Sequence, residues 1–375
     1  MIYFDNASTT LKPNCVADAV SVALKTTTNA NRGVNKSSLA ASLNIFSTRT
    51  AVAKMFNAPD LNRVIFTSGA TASLNLAILG TLAYGDHVIT TNLEHNSLLR
   101  PLYHAQKFGV DVDIIKADAN HKISIETIAD HIKPNTHMIA ITHASNILAT
   151  IQDITAVGKL CAEHDILFVV DAAQTAGLIP IDMAEMHIDA LCLSTHKSLL
   201  APQGLGVLCL SNKMHVEPIL FGGTGSNTFD EDMGETYPDH LEAGTQNGHA
   251  IAGLAAAIDF INDIGLDTLY TKASSLAKYF EAELKKFPGA KIYTNQDNYS
   301  IPIVSFNIED IDAVELSLKL STDFDIITRA GGICAPLVHK ALGTINSGLI
   351  RFSFSYTNTK AEVDAALEIM RTIIL

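Results

Sequence analysis

Between about residues 50 and 215 the chain alternates short apolar runs with segments of helical period, and that alternation leaves few folds open. The segments 63–67, 87–91, 112–115, 137–141, 166–170, 190–193 and 206–210 read as strands. Residues 71–83 read as a helix, and so do 154–164, where Ile154, Val157, Leu160 and Cys161 recur at three- and four-residue spacing. A run such as Ile166-Leu167-Phe168-Val169-Val170 has no polar side, so both of its faces must be covered. Runs of this kind joined by helices predict an α/β protein whose mostly parallel sheet is covered by helices.

The pattern changes after about residue 215. Residues 221–245 are rich in Gly, Asp, Asn and Thr and read as long loops, which in a compact protein are usually functional. An apolar helix follows at 250–264 and an amphipathic one at 269–287. Short strands at 303–306 and 349–354, mixed with helices at 313–320 and 360–373, predict a smaller C-terminal α+β domain. The expected division is a large domain over 15–255 and a small one built from 1–14 and 256–375.

The 375 residues carry 26 basic and 39 acidic side chains, a formal charge of −13. That balance argues against nucleic-acid binding and against docking on anionic lipid, both of which need a basic surface. A local pocket can still oppose the global sign and hold a small anion. The five cysteines, Cys15, Cys161, Cys192, Cys209 and Cys334, are odd in number and far apart, with no C-x-x-C pair. Neither a disulfide framework nor a metal site is expected. No uncharged apolar run approaches a membrane span, and Met1-Ile2-Tyr3-Phe4-Asp5 lacks the start of a secretory signal, so a cytoplasmic location is expected.

In open α/β sheets ligands sit beyond the carboxyl ends of the strands. Ser68-Gly69-Ala70-Thr71 follows one strand and opens a helix, suiting either an anion or an ordinary N-cap. Asp171 ends the apolar strand 166–170; alone it reads equally as a helix cap or a metal ligand. Ser194-Thr195-His196-Lys197 follows the next strand, and a lysine there suits a Schiff base, although most lysines are solvated. Taken together the three form the set that pyridoxal 5'-phosphate requires: donors for the phosphate, a carboxylate for the pyridinium nitrogen and an amine for the aldehyde. No G-x-G-x-x-G follows a strand, so a dinucleotide enzyme lacks its main device.

Here the chain resembles the class V, fold-type I pyridoxal-phosphate enzymes, and within them the cysteine desulfurases and selenocysteine lyases. The resemblance runs nearly end to end, through Tyr3-Phe4-Asp5-Asn6-Ala7-Ser8-Thr9-Thr10, Leu93-Glu94-His95-Asn96-Ser97, His143-Ala144-Ser145-Asn146, Asp171-Ala172-Ala173-Gln174, Ser194-Thr195-His196-Lys197, Glu242-Ala243-Gly244-Thr245 and Arg329-Ala330-Gly331-Gly332-Ile333-Cys334-Ala335. It implies a seven-stranded sheet and a homodimer. Lys197 would carry the cofactor, Asp171 would pair with its ring nitrogen, and Gln174 and Asn146 would approach its phenolic oxygen. His95 would stack on the ring. Ala70, Thr71, Ser194 and His196 would hold the phosphate, with Thr245 reaching the phosphate of the neighbouring subunit. Arg351 would clamp the substrate carboxylate, with Arg329 and Asn35 also near the substrate.

Cys334 would accept sulfur from L-cysteine as a persulfide, with alanine as co-product and an acceptor protein or thiol taking the sulfur onward. Its place after Gly331-Gly332, in a loop without apolar period and near arginines, sets it apart from Cys161, Cys192 and Cys209 in their apolar segments. Three positions depart from the family pattern: Ile333 and Asn35 stand where histidines are usual, and Ala149 where glycine is. His249 and His339 are candidate replacements. The competing readings are another class V enzyme, an aminotransferase, racemase-like enzyme or lyase in which Cys334 is incidental, and a cofactor-binding partner protein without turnover.

Overall fold

The computed structural model describes residues 1–30, 35–226, 229–296 and 299–374. In chain order the elements are β1 (Ile2–Tyr3), α1 (Asn14–Thr26), α2 (Lys36–Met55), β2 (Val64–Thr67), α3 (Ala70–Leu79), β3 (His87–Thr91), α4 (Asn96–Gln106), β4 (Asp111–Ile115), α5 (Ile125–Asp130), β5 (Thr136–Thr142), α6 (Ile154–Glu163), β6 (Leu167–Asp171), β7 (Ala190–Ser194) and β8 (Gly206–Leu210). They continue with α7 (Gly248–Ile264), α8 (Leu266–Leu284), β9 (Ala290–Ile292), β10 (Ile303–Ile308), α9 (Ala313–Phe324), β11 (Ile326–Ile327), β12 (Arg329–Gly331), α10 (Pro336–Leu342), β13 (Leu349–Ser353) and α11 (Lys360–Ile374).

The central sheet has seven strands in the order β2-β8-β7-β6-β5-β3-β4. Strands β4, β3, β5, β6 and β7 run parallel, whereas β8 is antiparallel to both neighbours. The reversal follows from the connection: β7 reaches β8 without a crossover helix, and a parallel pairing needs one. Side chains alternate between the two faces. Phe168, Val170, Leu191 and Leu193 pack on one side, Leu167, Val169, Ala190 and Cys192 on the other. The unbroken apolar runs are thus the signature of a sheet covered on both sides. Among the described residues, no single helix is long and apolar enough to cross a membrane.

The smaller sheet is antiparallel, in the order β12-β13-β10-β9. The chain's first residues return to it: β1 pairs with β11, and Phe4 joins Phe280, Phe306, Phe352 and Phe354 in one core. Phe280 and Phe352 stack with ring centroids 4.6 Å apart. The core of the large sheet extends as far as Leu269, and that of the small sheet takes in α8 from Leu276 onward. Helix α3 stops at Gly80 rather than running on to residue 83, because β8's exit segment closes on it: a Cβ at Gly80 would lie 2.3 Å from the Glu217 carbonyl oxygen.

One buried ion pair ties the long 211–247 connection to the sheet. Glu242 receives both Arg49 Nη1 and Nη2, at 2.8 and 2.9 Å, and also the Phe66 N–H at 2.7 Å. Arg49 donates further to the Val64 carbonyl. Glu242→Ala would strand a buried guanidinium and is expected to cost about 3–5 kcal/mol. A fall in thermal midpoint for this variant, largely recovered in Arg49→Met/Glu242→Met, checks this; no fall would contradict it.

Candidate active site

The carboxyl ends of β2, β5, β6 and β7 open into a cavity of about 390 Å³, roofed from the small sheet by Arg329, Cys334 and Arg351. Of the residues singled out in the sequence, Ala70, Thr71, His95, Asn146, Asp171, Gln174, Ser194, His196, Lys197, Arg329, Cys334 and Arg351 all line it. Thr245 and Asn35 do not. Thr245 borders a separate cavity of about 270 Å³ with Thr28, Asn29 and His249. Asn35 caps α2, its side-chain oxygen accepting the Ser38 N–H at 2.9 Å. Arg32, Gly33 and Val34, which precede Asn35 in the sequence, lie outside the described residues.

At the floor, the turn 68–71 is seated tightly on β8. A Cβ at Gly206 would lie 2.4 Å from the Gly69 carbonyl carbon, so only glycine lets the two backbones meet. The turn leads into the amino end of α3, whose free N–H groups favour an anion. His196 stands beside it with Nδ1 buried and unpartnered. Burial, helped by Lys197 and Lys12, pushes the His196 pKa down to about 4, so the ring is neutral.

Asp171 is buried at the end of β6, where its Oδ1 accepts the Ala173 N–H at 2.9 Å. Burial raises its pKa, while the Ala173 hydrogen bond and Lys197 pull it back. Behind it Glu94 is fully buried, its Oε1 accepting the Thr91 hydroxyl at 2.5 Å. Burial, with the charge of Asp171 adding, lifts Glu94 well above the carboxylate range. Lys197 moves the other way. Burial pushes its amine down to about 8, opposed by Asp171 and assisted by Arg351. His95 caps α4, and Nδ1 accepts the Ser97 N–H at 3.0 Å. Its pKa falls to about 4, chiefly through burial, so the neutral ring carries its proton on Nε2.

Arg351 is 1% exposed. Its Nη1 donates to the Asn146 carbonyl at 2.9 Å, and its Nη2 donates to Asp5 Oδ1 at 3.1 Å and to Ser8 Oγ at 2.9 Å. Asp5 and Ser8 carried no assigned role in the sequence; the polar run Asp5-Asn6-Ala7-Ser8 directly after Phe4 was the available signal. Asn146 turns its amide to the Ile333 carbonyl, Nδ2 to O 2.8 Å. The Cys334 carbonyl accepts the Asn96 N–H at 2.8 Å. The cysteine loop is therefore held from both sides, with Ile333 and Cys334 in the left-handed region at φ 36° and 59°. Cys334 is exposed.

Ile333 is buried in an apolar cluster with Leu93, Ile147, Leu148 and Tyr293, and it also borders the main cavity. His339 is buried beneath the loop with Nδ1 2.8 Å from Thr344 Oγ1, and His249 lies with Thr245; neither lines the main cavity. Ala149, in the place usual for glycine, holds φ 63° and is fully buried. A separate cluster, His87, Asp111 and Asp113, already holds Lys133 Nζ at 2.8 and 3.0 Å from the two carboxylates. A lysine lowered to about 8 reacts where ordinary lysines do not. In the protein free of bound ligand, carbamylation of Lys197 by cyanate is expected to be half-maximal near pH 8 and to need higher pH at exposed lysines; mass spectrometry checks this, and a midpoint above 10 contradicts it.

Comparison with known proteins gives the family and the fold. The model of the family described as Aminotransferase class-V matches residues 2–366. A probable cysteine desulfurase of Methanothermobacter thermautotrophicus is 31% identical, over 99% of this chain and 94% of its own. One of Borreliella burgdorferi is 32% identical over 97% and 89%. Among solved structures, the apo cysteine desulfurase of Thermococcus onnurineus NA1 superposes with TM-score 0.91 at 31% identity, covering 100% of this chain and 94% of that one. The cysteine desulfurase CsdA of Escherichia coli gives 0.89 at 28% identity, covering 99% and 94%. With its matching fold and a family match over nearly its full length, the chain belongs to the class-V aminotransferase family.

Proposed function

We propose that this chain is a pyridoxal-phosphate-dependent cysteine desulfurase, moving sulfur from L-cysteine to Cys334 and releasing alanine. The observation that carries the proposal is that Asp171, Lys197, Arg351 and Cys334 stand around one cavity. Its donor set fits the cofactor. The unpartnered His196 Nδ1, the Thr71 and Ser194 hydroxyls and the N–H groups of α3 suit a phosphate. Asp171 keeps one carboxylate oxygen off the Ala173 hydrogen bond and suits a protonated ring nitrogen. The Lys197 amine suits the aldehyde, with His95 and Gln174 at the ring. When bound, the cofactor withdraws electrons from the substrate's α- and β-carbons.

The chain supplies the remaining chemistry. Arg351 binds the substrate carboxylate as a cation already oriented by Asp5, Ser8 and the Asn146 carbonyl. Lys197, poised near pH 8, takes the proton from the α-carbon and returns it, as a general base whose pKa lies close to the working pH. Neutral His95 holds its Nε2 proton ready for a hydrogen bond rather than adding a charge. Cys334 Sγ receives the substrate sulfur, and the resulting persulfide is emptied by an acceptor.

A homodimer completes the site in this reading. Thr245 does not line its own chain's main cavity, and α2 presents Leu39, Leu43 and Phe46 exposed along one stripe, as a face covered by a second copy would. Thr245 and Asn35 would then serve the neighbouring cavity. One observation favours a second reading, a different class V enzyme: the residue before Cys334 is apolar and offers no proton. The products separate the two, alanine and sulfide against a keto acid or racemised amino acid.

Lys197→Ala is expected to abolish the visible absorbance of the loaded protein. Cys334→Ser should retain that absorbance and lose sulfide release from L-cysteine by at least about 10³-fold. Normal sulfide release by Cys334→Ser would refute the sulfur-acceptor role.

A further inference from the structure

Cys334 borders a second space. Outside the main cavity a groove of about 530 Å³ runs between α3 and α4. Its walls are two helix stripes at four-residue spacing, Thr71, Asn75 and Leu79 on α3 and Asn96, Arg100 and His104 on α4. Cys334 lines both spaces, as do Thr71, His95 and Ser97, so the two adjoin around it and a sulfur atom received from the cavity is open to the groove.

The groove's charge is opposite to that of the chain. No carboxylate lines it, in a protein of net charge −13, while Arg100 and His104 do. Among the described residues, Arg49, Arg351 and Arg371 are each bound to a carboxylate and Arg63 to the Met214 carbonyl. Among the described residues, Arg100 and Arg329 have no such partner, and each lines a space that Cys334 also lines, Arg100 the groove and Arg329 the cavity. A guanidinium without a carboxylate partner, in a groove that also reaches an exposed cysteine, is a recognition group for an anion.

The geometry points to this groove as the binding site of a small anionic thiol that removes sulfur from Cys334. This rests on the persulfide reading above. The acceptor thiolate attacks the outer sulfur of the Cys334 persulfide. A new S–S bond forms on the acceptor, the Cys334–sulfur bond breaks, and its electron pair returns to Cys334 as thiolate. One sulfur atom moves from thiol to thiol, and no further oxidant or reductant is consumed. The volume suits a ligand of small-molecule size rather than a folded partner.

Two measurements test it on the loaded enzyme. The first needs no turnover: Cys334 is alkylated with iodoacetate or iodoacetamide, with exposed Cys15 as internal reference. The anionic reagent should be favoured at Cys334 by about three- to fivefold relative to Cys15; because Arg329 and Arg351 also border Cys334's cavity, the preference should fall at least about twofold in Arg100→Gln rather than vanish, persist in Arg100→Lys and weaken with salt. In the second, enzyme charged with L-cysteine and desalted is discharged with 2-mercaptoethanesulfonate or neutral 2-mercaptoethanol at equal thiolate concentration. The sulfonate should empty Cys334 faster, by a ratio that falls in Arg100→Gln. Equal rates for charged and neutral reagents, or a ratio unchanged in Arg100→Gln, overturns the proposal. Charging without alanine or persulfide removes the desulfurase reading and the acceptor with it, whereas alanine formation without a charge preference removes the acceptor groove alone.

Discussion

The Arg351 guanidinium is the joint on which this molecule turns. A cation so fully buried is tolerated only with a partner, and breaking such a pair is costly. Asp5 provides the partner from the amino-terminal segment, and Asn146 provides a carbonyl from the loop after β5. Arg351 itself sits on β13 of the small sheet. Three distant stretches of chain are thereby fixed at the point where a substrate carboxylate would bind. The link continues outward: Asn146 holds the Ile333 carbonyl, and so sets the position of Cys334. In the proposed reading, the arginine that would orient substrate and the cysteine that would accept its sulfur are joined by one hydrogen-bonded path.

Beneath that joint, burial acts oppositely on acids and bases. It raises Asp171 and Glu94 and lowers Lys197, His95 and His196. The outcome is a pocket in which both histidines are neutral and the lysine is poised near physiological pH. The charges that reach His95 and His196 are all positive and push them further toward the neutral form. The exception is the pair Asp171 and Lys197, each of which draws the other toward its charged form. The sheet achieves this by ending two neighbouring parallel strands, β6 and β7, next to each other, with Asp171 closing one and Lys197 three residues beyond the other.

Much of this was legible in the sequence because the large sheet is buried on both faces. Its central strands β6, β7 and β8 are almost wholly apolar, so they stand out, and the polar residues after β6 and β7 mark the cavity. Asp171 and Lys197 were visible for that reason. Helix α2 was not, since its 20 residues mix polar and apolar positions around the whole circumference. Helix α4 carries Pro101 inside it, a signal that normally ends a helix. The reversed direction of β8 depends on the 195–205 connection lacking a helix, which hydrophobic pattern alone does not reveal. Asp5 and Ser8 were hidden because their partner Arg351 is more than three hundred residues away in sequence. Asn35 and Thr245 stand outside their own chain's cavity, and nothing local in sequence tells which copy's site a residue serves.

Sulfur transfer to one cysteine is tested most directly in a single turnover without reductant. The loaded enzyme is mixed with less L-cysteine than protein, alanine is quantified, and the peptide containing Cys334 is weighed. One alanine for each Cys334 peptide heavier by one sulfur atom is the expected result. Alanine with no added sulfur on that peptide, or a keto acid in place of alanine, contradicts it.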